Sequence, residues 1–221
     1  MDLEYFKKCF DLGLVKSPFM EIGSAKVQNS PLPNLTEFAR NHGVNQTLGV
    51  DLEPGKGVDA TVDFSQEQRK FNENWKQGDF STVAIFNVLE HTFDPITVLR
   101  NALRCVAKGG VLLVVTPVVW TIHNYPRDYN RLLPDWYEEF ARLNEIKIRE
   151  EAFCWLSSQF GICRVDELKE KSLHVLPTFM SRGKKHSPLR YWTTRAVHKL
   201  FNTYGRSHYY PDVAIGVAFD C

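Results

Sequence analysis

Two histidines, His91 and His123, each stand shortly after an apolar run of this 221-residue chain. A histidine exchanges its proton near neutral pH, so either ring could take the proton of a hydroxyl held against it. Asp51 and Glu53 also follow an apolar run, a position from which a carboxylate can accept both hydroxyls of a ribose. Glu21-Ile22-Gly23-Ser24-Ala25 closes another run. A glycine with small neighbours lets backbone approach a ligand closely, and amides there are expected to point into the cleft. Asp63 and Phe64 pair an acceptor with an aromatic face, and Asn87-Val88-Leu89-Glu90-His91 brings polar groups to the end of a further run.

The densest chemistry lies in one short stretch: His123, Asn124, Tyr125, Arg127, Asp128, Tyr129 and Arg131. Aromatic faces that pack on ring carbons, with Arg and Asp to reach hydroxyl or anionic groups, suit a sugar or another polar small molecule. The same residues could instead tie a loop to the sheet through an Arg–Asp pair.

These positions are informative because of the elements that carry them. Asp2 is placed to cap a first helix in which Leu3, Phe6, Phe10 and Leu14 recur at near-helical spacing, with Gly13 at its end. SPFMEIGS, QTLGVDLE, DFSTVAIFN and VLLVVTP read as strands. NLTEFARN and FDPITVLRNALRCVAKGG read as helices between them, the second sharing a face of Leu99, Leu103 and Val106 before a glycine stop. Apolar strands alternating with helices imply βαβ units and an α/β fold with a mostly parallel sheet covered on both faces. Ligands in such sheets bind beyond the carboxyl ends of the strands. Past Pro117, LLPDWYEEFARL reads as a helix and EIKIREEAF as a strand, and DVAIGVAFD is a final strand that can return antiparallel.

Composition narrows the class. With 27 Lys+Arg against 26 Asp+Glu, 43% hydrophobic and 24% charged residues, the chain is of ordinary globular type and lacks the basic excess of a dedicated nucleic-acid binder. It is long enough to bury roughly 70% of its extended surface without staples. The five cysteines, Cys9, Cys105, Cys154, Cys163 and Cys221, are odd in number and never spaced CxxC. No HxxxH or HExxH occurs either, so no metal site is expected. The acidic start lacks a secretory pattern and no apolar run reaches membrane-spanning length, so a cytoplasmic protein is expected. One unit of the chain differs: between positions 161 and 210 ten basic residues face three acids. We expect a single domain over residues 1–221 with a basic lid or acceptor-binding insertion over 155–210. There Leu189, Trp192, Val197, Leu200 and Phe201 could form an amphipathic helix touching a membrane surface or simply pack in the core.

Taken in order, EIGS, LGVDLEPGKGVDATVDF, FNVLEHTFDPITVLRNALRCVAKGGVLLVVTP and HNYPRDYNRLLP resemble successive signatures of the class I S-adenosylmethionine-dependent methyltransferase superfamily. The resemblance covers about residues 15–150, with the last strand also fitting. It implies a Rossmann-like, seven-stranded sheet and S-adenosylmethionine as cofactor. Glu21, Gly23 and Ser24 would lie at its methionine part, Asp51 with Leu52 and Glu53 at the ribose, Asp63 and Phe64 at the adenine, and Asn87 and Val88 near the sulfonium. The first motif departs from the pattern: Ala25 and Lys26 follow Gly23-Ser24, and QNSPLPN, including Gln28, precedes the next helix.

HxYPxDYxR segments are similar to those of methyltransferases in bacterial glycan biosynthesis. This implies O-methylation of a sugar or nucleotide-linked sugar, possessing an anionic group or not, with His123 or His91 as base and Tyr125, Arg127, Asp128, Tyr129 and Arg131 at the acceptor. A methyltransferase-like scaffold without activity is the alternative. A nicotinamide oxidoreductase is disfavoured by the missing GxGxxG, and the oligomeric state is not legible.

Overall fold

The computed structural model describes residues 1–26, 31–66, 76, 78–123, 127–158, 161–166, 189, 192, 193, 196 and 212–221. Four helices and nine strands lie among them. Strands β1 (Phe19–Ile22), β2 (Thr47–Asp51), β3 (Ala60–Thr61), β4 (Phe80–Phe86) and β5 (Val106–Val119) form the parallel part, in the order β3-β2-β1-β4-β5. Beside β5 lies β9 (Val213–Asp220), antiparallel as the returning final segment suggested. The far side of β9 is lined by β6 (Lys147–Ile148) and β7 (Cys154–Ser157), and β7 turns back into β8 (Gly161–Arg164).

The sheet therefore has nine strands where seven were expected. The excess has a local cause. β6 and β7 occupy one position against β9, Ile148 opposite Phe219 and Cys154 opposite Gly216, and a 3-10 turn at Glu150–Ala152 interrupts what would be one strand. The β7–β8 hairpin then extends the edge with residues from the start of the 155–210 segment. Of that segment's basic residues only Arg164 is described, paired with Asp166. The remaining basic residues lie outside the described residues. Leu189 and Trp192 are exposed.

Alternation along the strands splits the core in two. On β5, Leu112 and Val114 face α3 (Pro95–Cys105) and α4 (Pro134–Leu143), whereas Val111, Leu113 and Val115 face α1 (Asp2–Asp11) and α2 (Leu35–Asn41). β9 follows the same rule, with Val213, Ile215, Val217 and Phe219 on one face and Ala214 and Ala218 on the other. The small residues make room for α1: the Tyr5 ring lies so close over Gly216 that a Cβ there would stand 2.6 Å from it, and Tyr5 Oη donates to Ala152 O at 2.7 Å. Burying each large apolar side chain stabilises by about 1.5–3 kcal/mol, and both faces hold many.

Caps set where the helices begin. Asn34 accepts the Glu37 amide at 2.9 Å, and Asp94 accepts those of Ile96 and Thr97 ahead of Pro95. Asp2 does not cap α1 as expected: Met1 holds that position and makes no side-chain cap bond, while Asp2 lies inside the helix and reaches the end of β4. Helix α3 stops at Cys105, short of the glycines, because Val106 already has extended backbone and pairs with Phe80. Among the described residues no helix is long and apolar enough to cross a membrane.

Candidate active site

Three loops meet at the carboxyl ends of the parallel strands. β1 ends at Ile22, and Gly23 follows with φ +84°, a left-handed value glycine adopts without strain. The amides of Gly23 and Ser24 both donate to Val50 O, and that of Ala25 donates to Asp51 Oδ2 at 2.9 Å. The first loop is thus stitched to β2, and its amides do not point into the cleft as expected. Asn34, besides capping α2, donates to Ser24 O at 2.9 Å and holds the same loop from the other side. Ser24 is fully buried, and its Oγ has no hydrogen-bond partner.

Glu21 is committed to the start of α2. Its carboxylate accepts the amides of Leu35 and Thr36 and the Thr36 hydroxyl, at 3.1, 2.7 and 2.6 Å, which fixes the start of α2 beneath the loop. Burial pushes its pKa above the ordinary carboxylate value, outweighing those bonds.

Asp51 ends β2 and accepts from Ala25 and Leu52, leaving lone pairs on both oxygens, since a carboxylate can accept about four bonds. Leu52 is 60% exposed and Glu53 is exposed beside it. Asp63 accepts the amide and hydroxyl of Ser65 in a tight turn. Phe64 is buried in the core, and its carbonyl accepts from Asn101, so this ring supports the loop.

The end of β4 carries the most unusual backbone. Asn87 has φ +55°, donates its amide to Val115 O and its Nδ2 to Asp2 Oδ2 at 2.7 Å. Val88 packs against Gly23, joining the β1 and β4 loops. A 3-10 turn over Leu89–His91 then buries Glu90 completely, with neither Oε1 nor Oε2 hydrogen-bonded. Burial pushes Glu90 up to about 7. Its backbone carbonyl accepts the amides of Tyr129 and Asn130, which draws the loop after β5 across the end of β4.

That crossing brings the two histidines together. Their ring centroids are 4.9 Å apart with the planes nearly perpendicular. His91 Nδ1 lies 2.6 Å from Arg127 O, and His123 Nδ1 lies 3.1 Å from Thr121 O. A carbonyl only accepts, so in each neutral ring Nδ1 carries the proton and Nε2 presents a lone pair. Asp128 anchors the loop: it binds Arg131 through both oxygens and accepts the His123 amide at 3.0 Å. The Arg131 guanidinium holds the Asp128 carboxyl well below its usual range.

Next to this cluster opens a cleft of about 440 Å³, lined by Val118, Val119, Trp120, Ile122, Tyr129 and Arg131 among others. Tyr129 is 44% exposed, touches Phe93 edge-on and accepts from Arg127 at 3.3 Å.

The residues singled out from sequence fall into two groups that share the turn 87–91. Gly23, Ser24, Asp51 and Val88 form one, and His91, His123, Arg127, Asp128, Tyr129 and Arg131 the other. Tyr125 and Gln28 lie outside the described residues. Three contributors carried no site assignment from sequence: Glu90, Asn34 and Asp2, the last expected only to cap α1. Asn34 was findable as a helix start, whereas the burial of Glu90 and the reach of Asp2 depend on tertiary packing.

Residues 16–162 match the family model described as a methyltransferase domain. The ubiquinone biosynthesis O-methyltransferase of Xanthomonas oryzae pv. oryzae is 27% identical over 142 residues, which cover 61% of this chain and 54% of that protein. The chain thus spans about half the length of the curated relatives it matches. A SAM dependent methyltransferase from Archaeoglobus fulgidus superposes with a TM-score of 0.54 at 12% identity, covering 100% of this chain and 94% of the other. Haemonchus contortus phosphoethanolamine N-methyltransferase 2, solved with phosphomonomethylethanolamine and S-adenosylhomocysteine, gives a TM-score of 0.53 at 14% identity, covering 99% and 52%. At these identities the likeness to solved structures is one of fold.

Proposed function

The chain belongs to the methyltransferase-domain family, of the class I S-adenosylmethionine-dependent kind, and from that premise we propose that it methylates a hydroxyl of a small acceptor, with His123 or His91 taking the proton. The observation that carries this reading is the pairing of two imidazoles, each with Nε2 unprotonated in its neutral form, beside a cleft and one turn away from the Gly23–Asp51 loops.

The residues present suit the cofactor. Asp51 keeps lone pairs for ribose hydroxyls, Gly23 leaves the edge bare of a side chain, and the unpartnered Ser24 Oγ offers a polar atom at the first loop. Leu52 and Glu53 flank the ribose, Asp63 closes the adenine side on a loop anchored by Phe64, and Asn87 and Val88 line the sulfonium side. When bound, S-adenosylmethionine supplies a methyl group made electrophilic by its positive sulfonium. What the chain must do is hold the acceptor oxygen in line, exclude water and accept one proton.

For the acceptor, Arg127, Asp128, Tyr129 and Arg131, with Tyr125 on the same loop, favour a sugar or nucleotide-linked sugar through hydroxyl and anionic groups. In this reading the domain spans residues 1–221 and the basic 155–210 segment attracts that acceptor. A second acceptor class is favoured by a different observation. Ile122 in the cleft lining and Phe93, edge-on to Tyr129 of the same lining, are each 85% exposed, an arrangement suited to a phenolic hydroxyl on an apolar body. The curated relatives carry the name ubiquinone biosynthesis O-methyltransferase, which supports oxygen as the methylated atom.

The test begins with calorimetry of S-adenosylmethionine and S-adenosylhomocysteine, with NAD as control, and continues with turnover on sugar, nucleotide-sugar and phenolic acceptors. Saturable binding of the first pair and turnover on one acceptor class are expected. His123→Ala should bind the cofactor and turn over poorly. A fully active His123→Ala would move the base to His91, and a folded protein that binds neither compound would favour a scaffold.

A further inference from the structure

The first helix reaches the ligand edge of the sheet through one residue. Tyr5 and Phe6 on α1 both pack on Phe86, the last residue of β4, with ring centroids 5.9 and 6.0 Å away. Tyr5 is fixed further by its bond to Ala152 O. Asp2, one turn before Tyr5, is thereby held beside Asn87, the residue that follows Phe86, and Asn87 Nδ2 donates to Asp2 Oδ2 at 2.7 Å. A carboxylate only accepts, so this contact sets the amide with its nitrogen toward Asp2 and its oxygen away from it.

Two acceptor atoms of this pair stay unused. Asp2 Oδ1 is buried and has no hydrogen bond. Asn87 is exposed, and its Oδ1 accepts no hydrogen bond among the described residues. No ion pair among those residues involves Asp2 either, since the Met1 amino group stands by Glu4 Oε2 at 3.7 Å. Burial pushes the Asp2 pKa above the ordinary carboxylate value, by more than the Asn87 bond and the Met1 charge pull it down. An acid in a first helical turn is favoured by the helix dipole. The dipole does not account for this one, because Glu4 in the same turn serves it from an exposed position. A carboxylate taken out of water with an oxygen unpaired is costly unless a cation meets it.

S-adenosylmethionine carries two cationic groups, the sulfonium and the α-ammonium of its methionine part. We propose that Asn87 and Asp2 together seat the α-ammonium, so that α1 is part of the cofactor site. Asn87 Oδ1 accepts a hydrogen bond from the ammonium, and Asp2 is the positioning residue that turns the amide and supplies the negative charge behind it. The seat deepens the proposed function and rests on it, because it takes the methionine end of the cofactor to lie along Gly23, Val88 and Asn87. Val88 packs on Gly23, which brings the first loop next to this pair. A left-handed backbone at Asn87, φ +55°, is one that asparagine tolerates better than most side chains do.

The experiment is calorimetric titration with S-adenosylhomocysteine, which keeps the ammonium and lacks the sulfonium charge, and with its analogue in which hydrogen replaces the α-amino group. Folded wild type is expected to bind S-adenosylhomocysteine about 10- to 100-fold more tightly than the analogue, as for a hydrogen bond to a charged group. Asp2→Asn should weaken S-adenosylhomocysteine about 10-fold and leave the affinity for the analogue unchanged. Asn87→Gly, which suits the left-handed backbone, should do the same and stands in if Asp2→Asn fails to fold. Equal binding of the two ligands by wild type overturns the seat while leaving the cofactor in place. Equal weakening of both ligands in the variants overturns it as well, since Asp2 would then only shape the loop. A folded wild type that binds neither ligand instead removes the placement of the cofactor on which the seat depends.

Discussion

Gly23 and Val88 leave no room between them for a methyl group: a Cβ on Gly23 would stand 2.3 Å from Val88 Cγ2. The backbone there is also left-handed, at φ +84°, which costs an L residue roughly 1–2 kcal/mol. Gly23→Ala should therefore destabilise by about 1–3 kcal/mol and weaken cofactor binding. Adding Val88→Ala should relieve the contact and leave the backbone cost. Urea unfolding of both variants checks this, and complete recovery in the double variant would refute the backbone half of the argument.

Asp51 is predicted to matter for affinity more than for folding. Hydrogen bonds to a charged group are worth about 1.5–3 kcal/mol, so Asp51→Ala should lower S-adenosylmethionine affinity roughly 10- to 100-fold with the circular dichroism unchanged. An unaltered dissociation constant would remove the ribose assignment.

Tyr5 ties the first helix to the last strand. Tyr5→Phe leaves the carbonyl of fully buried Ala152 without its donor, an expected loss of about 1–3 kcal/mol. Gly216→Ala would force a methyl group against the same ring, for a loss of about 1–3 kcal/mol. Denaturant midpoints of the two variants should both fall. A Gly216→Ala protein as stable as wild type would mean that α1 shifts freely over β9.

The thiols give a pH-dependent prediction. Burial pushes Cys9 up to about 12 and Cys154 and Cys221 to about 11. A folded pKa above the unfolded value near 8.5 means that the native state keeps protons the unfolded chain releases. Stability should therefore be unaffected by these groups below about pH 8.5 and fall as pH rises from there toward about 11. In parallel, a thiol reagent at pH 8 should label native protein about 100-fold more slowly than unfolded protein, which exposes all five cysteines. Fast labelling of Cys9 in native protein would contradict the packing of α1.

The strands that carry the site were legible because each is a short apolar run closed by a polar or glycine residue. Ile22-Gly23, Asp51 and Phe86-Asn87 mark strand ends in sequence and structure alike. The break between β6 and β7 was not legible, since EIKIREEAF alternates like a strand and only its pairing with β9 shows three residues looped out. Helix α3 was expected to run to the glycines because Val106 keeps helical spacing. Pairing with Phe80 overrides that spacing, as strand partners commonly override local preference. At the site, type and position found the histidines. The side-chain directions of Glu21, toward α2, and of Asp128, toward Arg131, are consequences of which helix and loop happen to pack nearby.

The position of β9 has a consequence for how the protein is made. All the parallel strands that hold the site leave the ribosome before residues 213–220, yet those residues fill a slot between β5 and β7 rather than an outer edge. A nascent chain arrested before residue 213 carries two facing, unpaired strand edges, the kind that captures other chains. Its earliest helix also waits for the last strand, since Tyr5 rests on Gly216. Contacts so distant in sequence slow folding, so arrested chains should stay open to protease until the eight residues of β9 emerge.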